Sequence, residues 1–135
     1  MMSSDTTASG PNTPGISTTG LRVFVVEDEA LISMLMEYYL EELGCKIVAT
    51  ASRLPDALEK AATLEADVVV LDVNLAGQLS YPVAEVLMAR SIPIVFATGY
   101  GNGGLPPALK GLTLLVKPFT EDQFAAALRA ATANH

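Results

Sequence analysis

One cysteine and one histidine in 135 residues remove much of protein chemistry at the outset. Cys45 has no partner for an internal disulfide, so the expectation is a reducing, cytoplasmic setting. His135 is the last residue and is placed outside any folded site. No apolar stretch approaches the roughly 20 residues of a membrane-spanning helix. The N-terminus lacks the basic flank and apolar segment of a secretory signal. Basic residues are scarce as well: 8 Lys and Arg against 15 Asp and Glu give a net charge of −7. So acidic a chain, with no basic run, is a poor non-specific ligand for nucleic acid or anionic lipid.

What is present suits one well-filled domain. Half the residues are hydrophobic and 17% are charged, over a length too short for two ordinary domains. Residues 1–20 differ from the rest: nine are Ser or Thr, five are Gly or Pro, and Asp5 is the only charge. So little apolar surface does not offset ordering entropy, and the segment reads as a flexible tail before a domain at 21–135. A linker cut from a longer protein would have the same composition.

From Leu21 the pattern alternates strand and helix. Leu21 to Val26 is rich in β-branched residues and ends at Glu27-Asp28-Glu29. Ile32, Leu35, Met36, Tyr39, Leu40 and Leu43 then recur at helical spacing until Gly44. Lys46 to Thr50 is a second strand, and Leu54 to Leu64 a second helix with Pro55 in its first turn. The uninterrupted Val68-Val69-Val70-Leu71 predicts a strand covered on both faces, ending at Asp72. Val73 to Leu79 reads as a loop, and Ser80 opens a third helix to about Ala89. Ile92 to Ala97 and Thr113 to Val116 are further strands, separated by a Gly-rich segment with room for one short helix. Thr120 and Gln123 form a capping box ahead of a last helix that buries Phe124 and Leu128. Five strands alternating with five helical segments predict an α/β fold: a doubly wound parallel sheet, flavodoxin-like order 2-1-3-4-5, helices on both faces.

The polar residues fall at strand ends. Glu27 and Asp28 follow the first strand, Asp72 the third, Thr98 the fourth and Lys117 the fifth. In an open parallel sheet these positions converge on the crevice where ligands bind. Three carboxylates crowded together call for a proton or a cation. Oxygen-only ligation without His or Cys suits a hard divalent ion, and Mg²⁺ fits better than zinc. With a lysine and a hydroxyl beside them, these are the parts for moving a phosphoryl group onto a carboxylate, Asp72 being the best-placed nucleophile. Taken singly, each residue reads as a cap, a turn residue or a solvated charge, and Glu29 keeps that reading as a first-turn charge. The conjunction at four strand ends favours the functional reading.

Val26-Glu27-Asp28-Glu29, Leu71-Asp72-Val73-Asn74-Leu75, Ala97-Thr98-Gly99 and Lys117-Pro118-Phe119 together resemble the receiver domain of two-component response regulators. The resemblance covers Leu21 to about Ala133. It implies that Asp72 accepts a phosphoryl group from a histidine of a sensor kinase or histidine phosphotransfer protein. It implies Mg²⁺ held by Glu27, Asp28, Asp72 and the backbone carbonyl of Asn74, with Lys117 and Thr98 on the phosphoryl oxygens. It also implies a cis Lys117–Pro118 bond.

Receivers usually carry an aromatic ring three residues before the lysine, where this chain has Leu114. Phe96-Ala97-Thr98-Gly99-Tyr100-Gly101 instead resembles receivers grouped by a Phe-Ala-Thr-Gly-aromatic signature, mostly stand-alone proteins, several tied to stress phosphorelays. Two roles are open for Tyr100: a group that relocates with Thr98 and shields an acyl phosphate from water, or a simple cover for the Gly-rich loop. The first helix carries a second apolar stripe, Leu31, Met34 and Tyr38. A broadly buried helix is the favoured account, and a docking face for a partner's histidine-bearing helix is the other. Cys45 reads as a small core hydrophobe.

The expectation is a single-domain response regulator, monomeric or weakly dimeric, acting by protein contact or onward phosphotransfer, without turnover of a free substrate. Its rivals are a haloacid-dehalogenase-type Mg²⁺-dependent phosphatase, a binding module without chemistry, and a receiver excised from a hybrid kinase. The phosphatase requires a second Asp two residues after the nucleophile, where this chain has Asn74.

Overall fold

Strands whose residues are apolar without a break lie at the centre of the sheet, and those of mixed pattern lie at its edges. The computed structural model describes residues 17–99, 106, 109 and 111–133. In chain order the elements are β1 (Arg22–Val26), α1 (Ala30–Glu42), β2 (Lys46–Ala51), α2 (Leu54–Thr63), β3 (Val68–Asp72), β4 (Asn74–Leu75), β5 (Gln78–Leu79), α3 (Tyr81–Ala89), β6 (Ile94–Thr98), β7 (Thr113–Val116) and α4 (Glu121–Ala133). Five strands form one sheet in the order β2-β1-β3-β6-β7, every pair parallel. This is the flavodoxin-like order read from the sequence, with a short hairpin inserted after β3. Every residue of β3 and β6 is buried, whereas edge strand β2 alternates between exposed and half-buried.

The sheet has a core on each face. Phe24, Val26, Val69, Leu71 and Phe96 pack with Ala57 and Ala61 of α2 and Val83, Ala84 and Leu87 of α3. The alternate residues Val23, Val25, Val68, Val70 and Val95 pack with Met36 and Leu40 of α1 and Phe124 and Leu128 of α4. Period-two alternation thus feeds both layers from the same strands. The helix ends are satisfied as well. Thr120 N–H donates to Gln123 Oε1 at 2.9 Å and Gln123 N–H to Thr120 Oγ1 at 3.1 Å, the expected capping box. Arg90, at the end of α3, donates to the Ala61 and Leu64 carbonyls, both at 2.8 Å, which closes the C-terminus of α2.

Three sequence readings change. Val73 to Leu79 is not a loop: Asn74–Leu75 pairs antiparallel with Gln78–Leu79. Its two-residue turn holds Ala76 at φ 53° and Gly77 at φ 89°, the mirror-type geometry that suits a hairpin. Alanine at the first turn position, where Asn or Asp usually stands, hid it. The end of the tail is held down. Thr18 is buried, its hydroxyl donates to the Leu43 carbonyl at 2.8 Å, and Gly20 N–H donates to the Gly44 carbonyl at 2.7 Å. Cys45 lies just before β2, half-buried, with its thiol donating to the Thr18 carbonyl at 3.3 Å. Third, the stripe Leu31, Met34 and Tyr38 is 80%, 63% and 55% exposed, so α1 is not buried broadly. Most of the Gly-rich stretch after Gly99, where the sequence leaves room for one short helix, lies outside the described residues, as does Tyr100. Among those described, no helix is long and apolar enough to cross a membrane.

Candidate functional site

Register brings the strand-end residues together. Val26 pairs with Leu71, Asp72 with Ala97 and Thr98 with Val116, so β1, β3, β6 and β7 end in step. Glu27 therefore follows β1, Asp72 and Thr98 close β3 and β6, and Lys117 follows β7, all at the carboxyl edge. Glu27, Asp72 and Thr98 are buried. Thr98 is tied to the neighbouring strand end, its carbonyl accepting from Lys117 N–H at 2.8 Å. The Lys117–Pro118 bond is cis, as expected.

Lys117 is the hub of the charges. Its Nζ lies 3.0 Å from Glu27 Oε1, 3.2 Å from Asp72 Oδ2 and 3.9 Å from Glu29 Oε1. Glu29, whose side chain is largely exposed, makes no side-chain cap on α1; its backbone N–H instead donates to Glu27 Oε2 at 3.1 Å. Asp72 Oδ1 accepts from Asn74 N–H at 3.3 Å. One carboxylate oxygen from each of Glu27, Asp28 and Asp72 can lie within 4.8 Å of the others. Asn74 is exposed at the start of β4 and reaches the cluster through this N–H, while its side-chain oxygen accepts from Gly77 N–H at 2.8 Å.

Burial shapes the protonation of this cluster. Burial, then the charge of Asp72, pushes the Glu27 carboxyl up to about 7, against the Glu29 N–H and Lys117. Burial also raises Asp72, opposed by Lys117, the Glu27 contact and the Asn74 N–H. For Lys117 burial acts downward, but Glu27 and Asp72 outweigh it and the ammonium is raised. Two acids share one ammonium in a low-dielectric crevice, and one excess negative charge is left for a proton or a cation. Glu27 Oε1 is buried, and the cation beside it at 3.0 Å, Lys117, is one it must share with Asp72. The donor set is all oxygen, so the residues fit a hard divalent cation.

Two contacts were missed in the sequence. Ser80, buried at the start of α3, donates through its hydroxyl to the Asp72 carbonyl at 2.5 Å. Asp28 Oδ2 accepts from Ala76 N–H at 2.9 Å. A serine ahead of a helix reads as a cap from sequence alone. An acid accepting from a backbone forty-eight residues away leaves no sequence signal.

A family model for the response regulator receiver domain matches residues 23–129, a span that contains every one of these groups. The chain belongs to that family. Solved receivers superpose on it: SdrG from Sphingomonas melonis Fr1 is 41% identical, with a TM-score of 0.75 over 87% of this chain and 99% of that one. The response regulator PhyR from Brucella abortus is 28% identical, with a TM-score of 0.76 over 87% of this chain and 50% of that one. The sensory transduction protein LytT of Bacillus cereus is 33% identical over 113 residues, 81% of this chain and 46% of its own length. The receiver spans about half the length of the curated relatives it matches.

Proposed function

We propose that this receiver accepts a phosphoryl group on Asp72 from a phosphohistidine of a sensor kinase or phosphotransfer protein. It then signals by protein contact or passes the group to another histidine. The observation that carries this reading is the buried Asp72 carboxylate at the end of the central strand, 3.2 Å from Lys117 Nζ and grouped with Glu27 and Asp28. In the transfer, an Asp72 carboxylate oxygen attacks phosphorus. The P–N bond to the imidazole breaks as the O–P bond forms, giving an acyl phosphate and a free histidine.

Glu27, Asp28, Asp72 and the backbone carbonyl of Asn74 are the groups that would hold Mg²⁺. A divalent ion there would offset the charge of the entering phosphoryl oxygens. Lys117, freed from Asp72 Oδ2 as that carboxylate becomes an acyl phosphate, turns its ammonium to a phosphoryl oxygen. Thr98 supplies a hydroxyl donor to another. Asn74 provides no general acid two residues beyond the nucleophile, which weighs against turnover of free phosphomonoesters.

Incubation with acetyl phosphate and Mg²⁺, followed by intact mass, tests the reading. The wild type is expected to gain the mass of one phosphate, and Asp72→Ala to gain none. An equal gain in both proteins would place the chemistry elsewhere.

A further inference from the structure

The hairpin after β3 is fixed at its root and nearly unattached at its tip. At the root, Leu75 is fully buried, Ser80 N–H donates to the Val73 carbonyl at 2.8 Å, and Val73 N–H donates to the Ala97 carbonyl at 3.0 Å. The Ser80 hydroxyl binds the Asp72 carbonyl beside them. At the tip, Ala76, Gly77, Gln78 and Leu79 are exposed. Ala76 sits at φ 53°, a left-handed conformation that an alanine does not favour and that needs support from outside the turn. That support comes from Asp28 Oδ2, which accepts the Ala76 N–H at 2.9 Å. The same carboxylate belongs to the cluster with Glu27 and Asp72. The Asp28 carboxylate thus holds the tip and lies in the crevice cluster at once.

We propose that Asp28 is a positioning residue as well as a cluster member, locking the Asn74–Leu79 hairpin over the crevice, and that a divalent cation tightens this lock. The inference rests on the cluster being the cation-assisted phosphoryl-acceptor site. Without a cation, three carboxylates repel and Asp28 is free to rotate away from Glu27 and Asp72, loosening its hold on Ala76. A cation shared by the three restricts Asp28 to one orientation and raises the occupancy of the bond to Ala76. The segment carrying Asn74 is thereby set in place beside Asp72 before a phosphoryl group arrives.

Amide hydrogen exchange of the full chain, followed by NMR with and without Mg²⁺, tests the coupling, and line broadening by Mn²⁺ reports occupancy of the crevice independently. In the wild type, Mg²⁺ is expected to slow exchange of the Ala76 amide roughly tenfold, the scale of one charge-assisted hydrogen bond. Asp28→Asn keeps an oxygen for the Ala76 N–H but loses the charge. It is expected to keep the cation-free exchange rate and lose the Mg²⁺ response. Asp28→Ala is expected to exchange faster and respond to nothing. If Mn²⁺ broadens the Glu27 and Asp72 amides while Ala76 exchange is unchanged or faster, the coupling is wrong and the site reading stands. If Mn²⁺ broadens neither, both fall together.

Discussion

Glu27 is the residue on which the electrostatics of the crevice turn. It is buried, beside a second carboxylate, and shares Lys117 with it. Its carboxyl titrates near 7 rather than its ordinary 4.5, so the folded state holds this proton more tightly than the unfolded chain does. The linkage sign follows. The stabilisation is complete below about pH 4.5 and is lost as pH rises through about 7, where the ionised carboxylate must stay buried. Asp72, raised in the same direction, adds to the loss. The raised Lys117 keeps its charge throughout that window and does not alter the slope. Urea unfolding in a chelator is therefore expected to show this cluster weakening the fold between about pH 4.5 and 7. Glu27→Gln should flatten that profile, and Mg²⁺ should reduce the slope by taking the proton's place. A wild-type profile as flat as that of Glu27→Gln would contradict the burial argument. The placement of Glu27, Asp28, Asp72, Thr98 and Lys117 at the carboxyl edge was legible because strand periodicity fixes where strands end. Ser80 was not, because the carbonyl it binds is brought to it by the fold.

Among the elements, α1 shows what periodicity withholds. Spacings of three and four residues tell which side chains share a face, and two such faces were visible in the sequence. Spacing does not tell which face the sheet covers. Met36 and Leu40 went inward, and the adjoining stripe of Leu31, Met34 and Tyr38 was left to solvent, beginning one turn from the acidic cluster. A groove of about 460 Å³ lined by Met34, Glu37, Tyr38, Glu41, Cys45 and Ile47 continues this surface toward β2. On the proposed function, an exposed apolar stripe on the helix that follows the acidic residues suits a partner helix that carries a phosphohistidine. Met34→Asp is expected to slow transfer from a phosphorylated histidine partner about tenfold, the cost of losing one well-packed anchor. Its labelling by acetyl phosphate should be unchanged, and stability should move by less than about 0.5 kcal/mol because the site is exposed. Equal transfer rates for both proteins would remove α1 from the docking surface. The β4–β5 hairpin escaped for a different reason: its turn chemistry is atypical, and Asp28 supplies from afar what Asn-Gly supplies locally.

At the scale of the whole molecule, topology does most of the functional work. Glu27, Asp72, Thr98 and Lys117, far apart in the chain, come to one edge because the parallel strands that carry them all end there. That much follows from the alternation of strands and helices. The lower boundary of the fold does not, because Thr18 and Gly20, which bond to the α1–β2 corner, share the Ser-, Thr- and Gly-rich composition of the sequence before them. Thr18 binds the Leu43 carbonyl, and Gly20 binds Gly44, whose φ of +78° turns the chain out of α1 toward β2. A Cβ at Gly44 would lie 3.3 Å from Thr19 Oγ1, so the N-terminal segment and this corner are fitted closely. Two truncations test where the fold begins. A chain starting at Ser17 is expected to match the full chain in urea. One starting at Leu21 should lose about 1–2 kcal/mol, because the bonds from Thr18 and Gly20 to the Leu43 and Gly44 carbonyls go with the segment. The second should also label faster at Cys45, because the thiol, raised by burial, loses its cover and its acceptor at Thr18. Equal stability and equal labelling of the two truncations would return the boundary to Leu21.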